Sequence, residues 1–347
     1  MNNPFSLSFG KKPLENISRT VQMNEILDAF TSVPINQQIY MITGIRGSGK
    51  TVLLTDIRNR LEKDDDWIVL ELNPEKDLLL GMASRLTNHR QCAEIFREAK
   101  INLSFFGLSL SVHGVPPITD LETAIERMLE ALKKKNKRVL VALDEVTSNQ
   151  YVRVFAAAFQ IFIRDELPLF LLMTGLYENI EDLQNEKSLT FLYRSPKIKL
   201  SSLNMSAIMS RYRSIFHLSD SDAIEMAKLT RGYPFAFQAL GYLTWQNSGN
   251  YHCILEEYQR YLEDFVYDKL WSELSPTDRR IAGGIAQSKT GEIKEIREIL
   301  SLTSDQFSPY RMRLIRKGIV SGEERGILRF TLPQFEQYVL TRLAFDD

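Results

Sequence analysis

Between residues 38 and 202, short apolar runs alternate with stretches of helical period. The runs are Ile39–Thr43, Trp67–Leu72, Val139–Leu143, Leu169–Thr174 and Lys197–Leu200. The first four are short and almost unbroken by polar residues, which predicts buried strands. Strands separated by helical segments predict an α/β fold with a parallel sheet sandwiched by helices. A helix is expected ahead of them over Val21–Phe30, with Val21, Ile26, Leu27 and Phe30 as its apolar positions. The stretch between the second and third runs is unusually long. Within it, Leu103, Phe105, Leu108, Leu110 and Val112 partly alternate, which predicts an inserted hairpin or strand pair over Ile101–His113.

From Leu203 the period is helical. Met205–Phe216, Asp222–Leu229, Pro234–Trp245 and Ile254–Trp271 read as helices, the last with a broad face that includes Ile254, Tyr258, Leu262 and Phe265. A further unit begins near Leu274. Ser275-Pro276 opens a helix through Ile285, Ile293–Leu300 forms a second, and Ser308-Pro309 caps a third that ends at Lys317-Gly318. Gly322–Thr331 then predicts a hairpin, with Ile327, Phe330 and Leu332 as its apolar positions. Three helices and a hairpin form a winged helix-turn-helix pattern.

Bulk composition changes this picture little. A length of 347 residues suggests two or three domains, and 44% hydrophobic with 25% charged residues is ordinary for a globular chain. The net charge of −1 gives no global field toward nucleic acid or an acidic membrane, so any polyanion-binding surface has to be local. Cys92 and Cys253 lie far apart, form no CxxC pair and suggest buried thiols in a reducing cytosol rather than a disulfide frame. No stretch of about 18 apolar residues is present, so no membrane span is expected. The start, Met1 to Ser6, has no basic segment followed by an apolar core, so no signal peptide is expected and a cytoplasmic location is. The histidines at 89, 113, 217 and 252 lack metal-ligand spacing, and the basic run Lys133–Arg138 reads as a solvated helix end.

The sharpest chemistry lies in Gly44-Ile45-Arg46-Gly47-Ser48-Gly49-Lys50-Thr51, followed by Val52. It fits the phosphate-loop pattern G-x-x-x-x-G-K-[ST], with a predicted strand before it and a predicted helix after it. Glycines let the backbone wrap an anion, and the loop amides with the helix N-terminus supply donors. Lys50 can reach the β- and γ-phosphates of ATP, and the Thr51 hydroxyl can ligate Mg²⁺. The second signal is Arg138–Glu145, an apolar run ending in Asp144-Glu145. A buried strand delivers Asp144 to the carboxyl edge of the sheet, where ligands bind in open α/β folds. There Asp144 can share the Mg²⁺ shell with Thr51, and Glu145 can polarise a water for attack on the γ-phosphate.

Together these motifs resemble the AAA+ branch of P-loop ATPases, of the STAND and Orc-like type. The resemblance implies that Thr174, at the end of Leu171–Gly175, is the polar sensor closing the fourth strand. Arg231-Gly232-Tyr233-Pro234-Phe235 matches the G-x-P motif of the helical lid, which implies that Pro234 packs near the adenine. Phe9-Gly10 through Arg19 looks like the N-terminal segment that closes the other side of the base. Many relatives have Gly-Arg where this chain has Ser18-Arg19. A STAND-type arginine just after the fourth strand is missing from Thr174-Gly175-Leu176, which favours the Orc-like reading. Arg194 precedes the fifth strand, where AAA+ proteins often place an arginine finger; a surface ion pair is the competing reading. Arg231 is open between a phosphate contact and a helix C-terminal cation. The implied organisation is an N-terminal segment at 1–33, an ATPase core at 34–202, a helical lid at 203–272 and a winged helix at 273–347.

The expected function is an Mg-ATP hydrolase that couples nucleotide state to double-stranded DNA. Arg313, Arg316 and Lys317 share a helix face by their spacing, and Arg325 lies on the wing, a DNA-binding footprint. Yet residues 273–347 hold 12 Lys and Arg against 11 Asp and Glu. The alternative is a slow switch acting on a protein partner, or on a second copy of itself, with the winged helix as a docking module. A small-molecule kinase has less need of Glu145 or of the appended unit.

Overall fold

The computed structural model describes residues 2–8 and 13–346. By its internal contacts the chain divides into two compact units: one of 19–43 with 50–199, the other of the N-terminal residues to Ser18 with 44–49 and 200 onward.

The first unit is built on five parallel strands, β1 (Ile39–Thr43), β2 (Trp67–Leu72), β3 (Arg138–Leu143), β4 (Leu169–Gly175) and β5 (Lys197–Lys199), in the order β2-β3-β4-β1-β5. Strands β1 and β4 are buried at every position, because both faces of the sheet are covered. Alternation sends Met41, Val141 and Leu171 into one core with the helices Leu78–Asn88, Leu121–Lys134 and Gln150–Arg164. Tyr40 and Phe170 instead meet Phe30 of the helix Thr20–Thr31, and Trp67 joins them, with ring centroids 4.8 to 6.4 Å apart. Val21, expected on the buried face of that first helix, is exposed; Ile26 and Phe30 carry its packing.

The hairpin expected over Ile101–His113 is not formed. That stretch holds one 3-10 turn, Ser104–Phe106, and no strand among the described residues. Leu103 and Leu110 are buried, but a single Leu103 N–H to Leu110 carbonyl bond joins them, and Gly107 at φ +71° turns the chain between. Their alternation records a loop wrapped on the core rather than a ladder.

The second unit is helical: Met205–Phe216, Asp220–Lys228, Pro234–Gln246, Leu255–Leu262 and onward to Ser272. The expected single helix 254–271 is interrupted by a π-helical stretch at Glu263–Tyr267. Phe5 packs into this unit, its ring 5.5 Å from Phe237, and Gly241 supplies the space for it. The residues up to Ser18 therefore group with the helices, whereas the helix Thr20–Thr31 groups with the sheet. Phe9, Gly10, Lys11 and Lys12 lie outside the described residues.

Three further helices follow, Pro276–Gln287, Ile293–Leu300 and Ser304–Lys317, then an antiparallel pair, β6 (Val320–Ser321) with β7 (Arg329–Phe330). The third helix starts earlier than its Ser-Pro punctuation suggested. Thr303 and Gln306 form a capping box, and Pro309 sits inside the helix. The expected hairpin is present, with strands two residues long and Leu328, rather than Ile327, buried beside Phe330.

Candidate functional site

In the sheet unit, the register sets the chemistry. Leu143 of β3 pairs with Met173 of β4, so the next residues, Asp144 and Thr174, emerge side by side at the carboxyl edge. The Thr174 side chain is fully buried; its hydroxyl donates to Asp144 Oδ1 and accepts the Glu145 N–H at 3.1 Å. Thr51, the second residue of the helix Lys50–Leu61, donates its hydroxyl to Asp144 Oδ2 at 2.7 Å. Both carboxylate oxygens of Asp144 are thus held by hydroxyls. Glu145 has φ +55° and an exposed side chain with no hydrogen bond or ion pair among the described residues. A left-handed non-glycine costs about 1–2 kcal/mol, and here it turns a carboxylate off the strand into solvent.

In the other unit, the loop 44–49 is gripped from outside by its own partners. Tyr233 donates its hydroxyl to the Arg46 carbonyl at 2.6 Å, and the Phe235 N–H donates to the Gly47 carbonyl at 3.2 Å. Arg46 pairs with Glu273 at 2.9 Å. Burial works against the charge of Glu273, yet hydrogen bonds and charge from Arg46 and Lys269 hold its carboxyl below the usual value. Gly47 and Gly49 have φ +67° and +87°. A Cβ at Gly49 would lie 3.9 Å from Pro234, which places that proline, the first residue of its helix, against the loop.

A family model described as an ATPase domain predominantly from Archaea matches residues 17–194, more than half of the chain. The chain belongs to this ATPase family. A second model, described as a domain of unknown function, matches residues 264–339 of the ATPase. A comparison with curated proteins gives no significant match. Among solved structures, the Walker-type ATPase PABY2304 of Pyrococcus abyssi matches with a TM-score of 0.66 at 17% identity, over 94% of this chain and 96% of that one. The ORC2 protein of Aeropyrum pernix, in its ADPNP-ADP complexes, matches with a TM-score of 0.55 at 14% identity, over 94% and 91%. At such identities the likeness is one of fold. The chain is thus a member of this archaeal-type ATPase family with the fold shared by those two structures.

The remaining expected residues of the ATPase fall as follows. Arg19 precedes the helix Thr20–Thr31 in the sheet unit, and burial lowers its pKa. Arg194 is exposed and makes no ion pair among the described residues, so the surface-pair reading falls away. It lines a cavity with Gln38 and Ile39, at the amino end of β1. Asp144 follows the carboxyl end of β3, so Arg194 lies at the opposite end of a sheet whose β1 spans five residues, about 17 Å.

Arg231 adopts neither role left open for it. Its guanidinium donates to the Phe330 and Leu332 carbonyls at 3.2 Å each and pairs with Glu336. Arg313 also departs from expectation. It pairs with Asp278, a carboxylate 3% exposed, at 2.7 Å, and stacks over Tyr310 at 4.9 Å. Arg316 and Arg325 are exposed and Lys317 is half-buried. No helix among the described residues is long and apolar enough to cross a membrane.

Sequence reasoning quoted Tyr233 inside its motif without giving it work, and it missed Glu273 and Asp278. Only Gly47 carried a signal: the phosphate-loop pattern does not require glycine there, so its presence asks for a second reason.

Proposed function

We propose that the protein hydrolyses Mg-ATP, with the loop Gly44–Gly49 and the adjoining Lys50 and Thr51 binding the phosphates. The observation that carries this reading is the Asp144 carboxylate held by Thr51 and Thr174, with Glu145 next to it and unpaired. The residues suit magnesium. Thr51 gives its proton to Asp144 and keeps its lone pairs for a cation. Among the described residues no three His, Cys, Asp or Glu are grouped to cage a metal, and Mg²⁺ does not need such a cage, since waters and phosphate oxygens complete its shell. When bound, Mg²⁺ neutralises charge on the β- and γ-phosphates. Lys50 adds a second positive charge there, and Glu145 orients and deprotonates the attacking water. Thr174 fixes Asp144 and the Glu145 amide in one frame. Pro234 is a base contact by its likeness to the G-x-P motif, Arg19 is a candidate for the same role, and Arg194 acts on the nucleotide of a second copy.

Two variants test this reading. Lys50→Ala should abolish ATP binding measured by calorimetry. Glu145→Gln should retain binding while phosphate release stops. Undiminished turnover in Glu145→Gln assigns the base to another residue.

We further propose that residues 273–346 form a winged helix that meets duplex DNA through Arg316, Lys317 and Arg325, with Arg313 working inside the module. Exposed Arg316 and half-buried Lys317 on one helix, with exposed Arg325 on the hairpin, support this. The near-neutral charge of the module supports docking of a protein instead. Salt-dependent binding to a random duplex separates them, since each phosphate contact contributes about one unit of log–log slope. Absence of salt-sensitive binding in every nucleotide state assigns the module to a protein partner.

A further inference from the structure

The lid tyrosine explains a glycine that the phosphate-loop pattern leaves free. Tyr233 is 4% exposed, and burial drives the pKa of its phenol up. A buried hydroxyl needs an acceptor, and this one takes a phosphate-loop carbonyl, that of Arg46. The next carbonyl, of Gly47, accepts the Phe235 N–H. Two consecutive loop peptides are therefore fixed by two residues of one turn. In a planar trans peptide the C=O and N–H point in opposite directions. Holding the Arg46 carbonyl on Tyr233 turns the Gly47 N–H away from the tyrosine, and holding the Gly47 carbonyl turns the Ser48 N–H away in the same manner, toward the Ile45 carbonyl to which it donates at 3.3 Å. A side chain at 47 is excluded twice over: φ is +67°, and a Cβ would come within 2.3 Å of the Tyr233 hydroxyl.

We infer that Tyr233 is a positioning residue for phosphate binding, setting the loop amides in the orientation an anion requires. This rests on the phosphate-loop reading above. Its own foundation is firm: two residues earlier, Arg231 is tied to the Phe330 and Leu332 carbonyls, and Arg46 is tied by its side chain to Glu273. The hydroxyl therefore acts from a fixed base on a loop that has little freedom left. Its contribution should appear only for ligands whose phosphates reach the loop amides.

The test uses the full chain and the Tyr233→Phe variant, which keeps the ring and loses the hydroxyl. ADP and AMP are titrated calorimetrically. ADP affinity should fall about tenfold, the worth of one hydrogen bond, while AMP affinity holds. Hydrogen exchange should quicken in peptides covering 44–51, with the lid helices still protected. Unchanged ADP affinity, or equal losses for ADP and AMP, overturns the inference. Lys50→Ala provides the separate control. If it binds ADP like the wild type, the phosphate-loop reading itself has failed; if it does not and Tyr233→Phe binds normally, only the role of Tyr233 has failed.

Discussion

Replacing Thr174 by valine isolates the hydroxyl that organises the acidic pair. Valine matches threonine in shape, and the site is fully buried, so packing is preserved. Two hydrogen bonds disappear: one to the charged Asp144 carboxylate and one from the Glu145 N–H. A bond to a charged group contributes about 1.5–3 kcal/mol and a neutral one about 1 kcal/mol. Asp144 keeps its bond from Thr51, so it stays beside the proposed cation site and ground-state binding should survive. The loss therefore falls on the alignment of Asp144 and Glu145 during hydrolysis. A barrier raised by about 2–3 kcal/mol lowers kcat roughly 30- to 150-fold. Steady-state phosphate release measures kcat, and calorimetry with a non-hydrolysable ATP analogue measures binding, expected within about threefold of wild type. Thr174→Ser restores the hydroxyl and should restore most of the rate. An unchanged kcat in Thr174→Val, or a loss confined to binding, refutes the reasoning.

Arg194 stands at the far end of the sheet from Asp144, so any action on a nucleotide must be on a neighbour's. ATPase activity per chain should rise with protein concentration, and Arg194→Ala should remove that rise at unchanged ATP affinity; a flat rate in both proteins removes Arg194 from catalysis. Arg313→Leu strands a nearly buried Asp278 and should cost about 2 kcal/mol in chemical denaturation, less than a fully buried pair because the guanidinium is 44% exposed. Loss of DNA binding in Arg313 variants therefore has to be read against their stability. Burial pushes the Cys92 thiol up to about 12, whereas Cys253, expected to be buried as well, is exposed, so iodoacetamide at pH 8 should label Cys253 and spare Cys92 until the chain unfolds. Equal labelling of both in the native protein contradicts the placement of Cys92.

The strands were legible because a sheet covered on both faces writes unbroken apolar runs, and Val139 to Leu143 could hardly be anything else. The acidic pair was legible for the same reason: the residue after such a run has to emerge at the sheet edge. What escaped was pairing over distance. Tyr233 and Arg46 are 187 residues apart, and no local pattern announces their bond. The spacing of Arg313, Arg316 and Lys317 predicts a shared helix face, but spacing carries no record of Asp278 on another helix, which takes Arg313 into an ion pair. Leu103 and Leu110 misled because two buried leucines bracketing a turn imitate the alternation of a strand. Ser308-Pro309 misled because a proline is tolerated inside a helix that Thr303 and Gln306 had already begun.

The left-handed backbone at Glu145 leaves a mark that evolution can read. Glycine or asparagine would occupy φ +55° with less strain, so Glu145→Gly should relax the turn even as it removes the carboxylate. Glutamate is the more strained choice there, so without a function to hold it the position should drift toward easier residues. Lineages that abandon hydrolysis and use this fold only to hold nucleotide should therefore lose this side chain early, to glycine, asparagine or aspartate, while Lys50 and Thr51 remain. On the proposed role of Glu145 as base, the residue at this one position would then mark which copies still turn over.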